Sequence, residues 1–216
     1  MDVDAPAAAG GSWSPGSEMS SRFRGYLPVV VDLETGGFDP DRHAILEMAA
    51  VEVVFEGEAL VMGNRWVQAV APYPGSALDP AALKVTGIDP GDPGRGAIDE
   101  ASAFREMFRR VRRAMKRAGC QRAILVAHNA AFDHQFMQRA YERNRLNRSP
   151  FHPFSFIDTA SLGAVAFGHT VLSECCQRAG IAFDASKAHS ALYDAEKAGA
   201  LFCEIVNRWR GAWPRG

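Results

Sequence analysis

Cysteine is scarce in this chain. Four residues in 216 are cysteine, at Cys120, Cys175, Cys176 and Cys203, with no CxxC pair and no histidine at zinc-ligand spacing. A disulfide scaffold and a structural zinc site are both excluded. Adjacent Cys175 and Cys176 read as two thiols on a helix in a reducing compartment, not as a strained vicinal disulfide. Long apolar runs are missing as well. None reaches the roughly 18 residues of a bilayer span, so no membrane segment is expected. Net charge is only −1, and the average therefore says nothing about nucleic acid. There is no internal repeat. The N-terminus has neither the basic start nor the apolar stretch of a secretory signal, which points to the cytoplasm.

What is there reads as a globular domain. Hydrophobic residues make up 47% and charged residues 23% of the chain, both ordinary values. A chain this long buries roughly 70% of its unfolded surface, so it needs no staples. Residues 1–20 are mostly Ala, Gly, Ser and Pro and predict a disordered tail, leaving 21–216 as the folded domain. Leu27 to Leu33 is apolar and rich in β-branched residues and predicts a buried strand. Ile45 to Phe55 and Leu60 to Val70 predict two more, with links short enough for an antiparallel meander. Residues 86–99, rich in Gly and Pro, predict a loop. The period then becomes helical, with Phe104, Met107, Phe108, Val111, Met115 and Ala118 on one face. Ala123 to Ala127 predicts a fourth strand, 131–145 a helix, and 155–157 a short extended piece. Helices follow from Asp158-Thr159, over 171–179 and over 190–210. The whole is an α/β pattern: a mixed sheet flanked by helices.

Three groups of residues carry chemistry. Asp32 and Glu34 are two apart on a strand, so both carboxylates leave one face and Leu33 leaves the other. Like charges so placed repel unless a cation sits between them, and hard cations such as Mg²⁺ or Mn²⁺ suit oxygen ligands. His128-Asn129-Ala130-Ala131-Phe132-Asp133 follows a buried strand and opens a helix, with Asn129 as the expected N-cap and Asp133 in the first turn. His189-Ser190-Ala191-Leu192-Tyr193-Asp194 opens another. Five residues apart, His189 and Asp194 do not share a regular helix face. With Ser190 as N-cap, His189 falls just outside the helix.

Taken together, Asp-x-Glu-Thr, His-Asn-x-x-x-Asp and His-x-x-x-x-Asp resemble the DEDD superfamily of 3′ exonucleases in its histidine subclass. The resemblance implies a ribonuclease H-like fold and two-metal phosphodiester hydrolysis. Asp32, Glu34, Asp133 and Asp194 would hold two Mg²⁺, with Mn²⁺ as a substitute, and His189 would be the general base. Further segments narrow the match: Arg22 to Gly25, Gly87 to Pro90, Asn129 to His134, Pro150 to Phe154 and Ala188 to Trp209 are similar to the ribonuclease T family. That family trims single-stranded 3′ ends of transfer RNA and other stable RNAs and digests single-stranded DNA. Phe38, Phe132 and Phe154 match the phenylalanines that stack on its terminal bases. The chain departs at Ala81 and Val85, where a glutamate and a phenylalanine are expected, which leaves base preference open. Other members of the superfamily, a proofreading subunit or an oligoribonuclease, remain alternatives, as does a silent binding module on the same fold.

Local charge is far from the average. Residues 105–148 hold 12 of the 24 Lys and Arg and three acids, so this window carries +9 and the remainder −10. Seven cations on one helix, from Arg105 to Arg117, suggest a phosphate track. The resemblance further implies a homodimer whose basic patch serves the partner's active site. Arg22, Arg24, Lys116 and Arg122 match that patch, and Asn147 stands where a lysine is expected.

Overall fold

The computed structural model describes residues 15–210, which form a five-stranded sheet covered on both faces. In chain order the helices and strands are α1 (Pro15–Ser21), β1 (Tyr26–Thr35), β2 (Ile45–Glu56), β3 (Ala59–Ala69), α2 (Pro80–Thr86), α3 (Glu100–Arg117), β4 (Arg122–Ala127), α4 (Ala130–Arg143), β5 (Phe151–Asp158), α5 (Thr159–Phe167), α6 (Leu172–Ala179) and α7 (Ala191–Arg210). The strand order is β3-β2-β1-β4-β5. The first three strands are the expected meander, and β1, β4 and β5 are parallel.

Alternation along β1 organises both layers. Val29 packs toward α3, beside the fully buried Met107. Val30 faces the other way and meets α7 at Gly199, where a Cβ would lie 3.1 Å from Met62 Sδ and 3.3 Å from Val30. A side chain at that glycine would require Met62 and Val30 to give way by a few tenths of an ångström. Asp32 and Glu34 continue the Val30 row. The four cysteines are buried free thiols. Burial pushes Cys203 up to about 12 and Cys176 up to about 11, so both are inert at neutral pH. No helix among the described residues is long and apolar enough to cross a membrane.

Three expectations need correction. The tail expected over 1–20 lies outside the described residues as far as residue 14, but residues 15–20 are helical, and Met19 joins the core. The short piece at 155–157 is a full strand, β5, because a central parallel neighbour supplies the pairing that its Pro-containing sequence does not advertise. Asn129 precedes α4 but sits in the left-handed region (φ 62°, ψ 49°) and makes no side-chain cap.

Asp158 does that capping instead. Its Oδ1 accepts from Asn129 N–H at 2.9 Å and Ala130 N–H at 3.4 Å, at the start of α4. The same carboxylate caps its own helix, α5, through Ala160 N–H and Ser161 N–H at 3.1 and 3.2 Å. Burial raises this carboxyl, but the bonds from Ser161 and the backbone outweigh it and hold Asp158 below the ordinary range. One side chain thus joins the starts of two helices. Asp158→Ala should cost about 2 kcal/mol, the upper range for a cap, against well under ~1 kcal/mol for Asp184→Ala on an exposed turn. Urea unfolding of both variants checks this, and equal midpoints would refute the double cap.

Candidate active site

The acids converge where β1 ends and two helices begin. Past Val30 the ladder between β1 and β4 stops. Asp133, in the first turn of α4, takes over and accepts the Leu33 N–H at 3.0 Å. Asp194, in the first turn of α7, accepts the His189 N–H at 2.8 Å. Asp32, Glu34 and Asp194 each offer a carboxylate oxygen, and these oxygens lie within 4.8 Å of one another. Asp133 is not in that trio of oxygens, but it is buried and lies close enough to raise the Asp32 carboxyl.

Electrostatics dominate the group. Burial first, then the charges of Asp133, Glu34, Asp194 and Glu47, push Asp32 well above the usual carboxylate range. Burial first, then the charges of Asp194 and Glu47, push Glu34 up to about 7. Burial also raises Asp133 and Asp194, against the hydrogen bonds each accepts. Without a cation, these groups retain protons that ordinary carboxylates lose. The donor set is hard oxygen on rigid elements, and it fits divalent cations.

Sequence reasoning missed Glu47. It lies on β2 directly opposite Glu34 of β1, and its Oε1 accepts the Ala191 N–H at 3.0 Å, tying the start of α7 to the sheet. Its only signal was an acid inside an apolar strand. His128 is a further residue here that the sequence motif leaves without a role. Its ring lies 2.9 Å from Thr159 Oγ1 and 2.8 Å from the Thr170 carbonyl, joining the end of β4 to the turn before α6.

His189 has left-handed backbone (φ 65°) and is exposed. Its imidazole has no hydrogen-bond partner among the described residues, so only its backbone is fixed. Phe38 is 80% exposed on the turn after β1, with its ring centroid 6.3 Å from that of Phe132. Phe132 also packs on the buried Phe136 at 4.8 Å, so it serves the core and faces Phe38 at once. The Phe38 turn is braced from α4 and α3. Arg139 pairs with Asp41 at 2.8 Å, and the Tyr73 hydroxyl donates to the Asp41 carbonyl at 3.3 Å. Arg143 lies over the Tyr73 ring at 3.9 Å and is itself held by the buried Glu100.

Phe154, 76% exposed, contacts a different ring, His152, at 4.5 Å. His152 in turn lies 5.4 Å from Tyr26, and Arg24 lies over Tyr26 at 5.6 Å. Arg122 is paired with Tyr26 in the sheet. Burial and the charges of Arg122 and Arg24 hold His152 below its usual range. Arg24, Arg122 and Phe154 therefore share one basic and aromatic strip. Arg22 lies over Phe23 at 5.3 Å, and Lys116 is exposed near the end of α3. The expected track along α3 is partly used internally. Arg109 and Arg110 both hold Glu106, Arg117 holds Glu52, and Arg112 donates to the Arg148 carbonyl. Ala81 and Val85 lie on α2, with Val85 57% exposed.

A family model described as exonuclease matches residues 29–202. Ribonuclease T of Escherichia coli and of Shigella flexneri are each 51% identical over 199 residues, covering 91% of this chain and 93% of theirs. Among solved structures, exonuclease I of E. coli in complex with a dT13 oligonucleotide superposes with a TM-score of 0.64 at 17% identity. Exonuclease I of Methylocaldum szegediense gives 0.62 at 19%. These matches cover 87% and 86% of this chain but only 42% and 41% of the other, so the chain spans about two fifths of either. They show the ribonuclease H-like fold.

The raised carboxyls fix the pH dependence of stability. Each binds a proton in the fold at a pH where the unfolded chain has lost it. Their contribution to stability in chelator should therefore fall as pH rises from the unfolded value near 4 through the folded value, about 7 for Glu34. His128, held low by burial, works in the opposite sense, so the comparison must be internal. Thermal midpoints in EDTA between pH 5 and 7.5 should fall less steeply for Asp194→Asn than for the native chain. Parallel slopes would show that the four acids are not coupled.

Proposed function

The chain belongs to the ribonuclease T family of 3′–5′ exonucleases, and from that premise we propose that it trims single-stranded 3′ ends of transfer RNA and other stable RNAs and digests single-stranded DNA. The observation that carries this reading is the trio Asp32, Glu34 and Asp194, whose oxygens lie within 4.8 Å of one another. With Asp133 they would hold two Mg²⁺, or Mn²⁺ in its place. Bound there, the ions supply Lewis-acid stabilisation of the attacking and leaving oxygens of the phosphodiester.

The chain's own residues do the rest. His189 accepts a proton from the attacking water as general base. Its fixed backbone and unattached ring favour a side chain that swings onto the substrate. Phe38 and Phe132 offer ring faces on which the terminal bases stack, and Phe154 meets the strand further along. Stacking of this kind contributes about 1–3 kcal/mol per base and tolerates any base. Small side chains at Ala81 and Val85 relax base discrimination. Arg22, Arg24, Lys116 and Arg122 bind phosphates, and the protein acts as a homodimer in which this strip serves the partner's acids. The free thiols suit a cytoplasmic location.

Two measurements test this. His189→Ala should retain RNA binding and lose most turnover, about 10²-fold or more for a general base, whereas Asp194→Asn should lose divalent-metal binding as well. Native rates for Asp194→Asn in Mg²⁺ would refute the metal assignment. For the dimer, Asp32→Asn is mixed with a variant carrying Arg22→Ala, Arg24→Ala and Arg122→Ala. Their heterodimer has one intact acid site facing one intact strip, so part of the activity should return. A mixture that exchanges subunits and stays inactive, or a chain that is monomeric at assay concentration, would rule out sharing in trans.

A further inference from the structure

A second cleft, of about 210 Å³, opens on the other face of the sheet, between α3 and strands β2 and β3. Val29 lies on its floor, three residues from Asp32 on β1, so the cleft and the acids occupy opposite faces. The floor is apolar, with Val29 and Met107 both buried. The half-buried indole of Trp66 contributes a flat side to the lining, and Arg110 lies over it at 6.0 Å from the ring centroid. Arg110, Arg113 and Arg117 are three and four residues apart on α3 and therefore share one helix face at the rim.

The charge at this rim is unbalanced. Glu52 is already occupied by Arg117 at 2.6 Å and by the Asn64 amide at 3.0 Å. Glu106 is shared by Arg109 and Arg110. Arg113 has no hydrogen bond or ion pair to any of the described residues. The remaining charge sits where an anion can reach it from solvent while an attached planar group lies inward.

We propose that this cleft binds a nucleoside 5′-phosphate unit, with the base against Trp66 over the apolar floor and the phosphate on Arg113. The chemistry selects this ligand class. An aliphatic chain would fill the floor but leave the guanidinium unsatisfied. A simple acid would meet Arg113 but not the indole. A flat, largely apolar base joined to a phosphate matches both. Two sources share that chemistry, a free mononucleotide and one nucleotide of a longer strand. The cleft lies away from the acids, so it does not depend on the exonuclease reading.

The test is titration of the full chain in EDTA, followed by tryptophan fluorescence and calorimetry. The probes are adenosine 5′-monophosphate, inorganic phosphate and a 3′-phosphorylated oligoadenylate. Arg113→Glu, an exposed change, should weaken the mononucleotide about tenfold, as for loss of one charge-assisted phosphate contact. Trp66→Leu should weaken it by about fivefold or more while leaving inorganic phosphate unchanged. If Trp66→Leu unfolds the chain, Arg113→Glu alone decides. Binding of the oligoadenylate but not the mononucleotide, lost in Arg113→Glu, would identify a strand as the source. Mononucleotide binding lost in Arg113→Glu would identify free nucleotide as a competent ligand. If neither nucleotide probe is affected by Arg113→Glu, the proposal is wrong. An inactive nuclease would leave all these outcomes in place.

Discussion

Mutual repulsion among carboxylates is the constraint around which this molecule is arranged. Asp32, Glu34, Asp133 and Asp194 arrive from a strand end and two helix starts, and Glu47 adds a fifth charge from the neighbouring strand. No free chain would gather these groups. The sheet and its helices hold them by packing that lies elsewhere, in the buried rows of β1 and in the approach of α7 at Gly199. The price of that gathering is visible in raised carboxyls, and a divalent cation is the natural relief.

The fold also supplies partial relief of its own. Asp133 and Asp194 both occupy first helical turns, where backbone N–H groups and the helix dipole favour negative charge. Each accepts a main-chain N–H, from Leu33 and His189. Glu47 accepts another from Ala191. The same hydrogen bonds that temper the charges also fix the geometry, so binding and positioning are not separate devices here. Asp158 and His128 extend this logic outward. They anchor α4, α5 and the turn before α6 to the ends of β4 and β5.

The surfaces around the acids are differentiated by what surrounds each aromatic ring. Phe38 and Phe132 face each other beside the acids, on a turn braced through Asp41, Tyr73 and Arg143. Phe154 instead belongs with His152, Tyr26, Arg24 and Arg122. Such a division suits a strand held at its end by stacking and further back by charge. On the far face, internal ion pairs engage Arg109, Arg110 and Arg117 of α3, and Arg113 at the cleft rim has no hydrogen bond or ion pair among the described residues.

The sequence by itself determined the meander, the helix that follows it and the three acidic corners. Those features depend on local periodicity, on β-branched runs and on residues two to five apart, all of which the chain states directly. It also made the family resemblance legible, because the relevant groups sit in short contiguous motifs. Tertiary structure decided what depends on register and on neighbours distant in sequence. Glu47 faces Glu34 only because β2 pairs with β1 in one register. Asp158 replaces Asn129 as the cap of α4 only because β5 lies beside β4 and ends at the same level. Residues 155–157 became part of a strand through pairing with β4, and residues 15–20 became helix as Met19 found an apolar surface to bury against. Which arginines of α3 are spent on internal partners was settled in the same way, since Glu52 lies 65 residues from Arg117 along the chain.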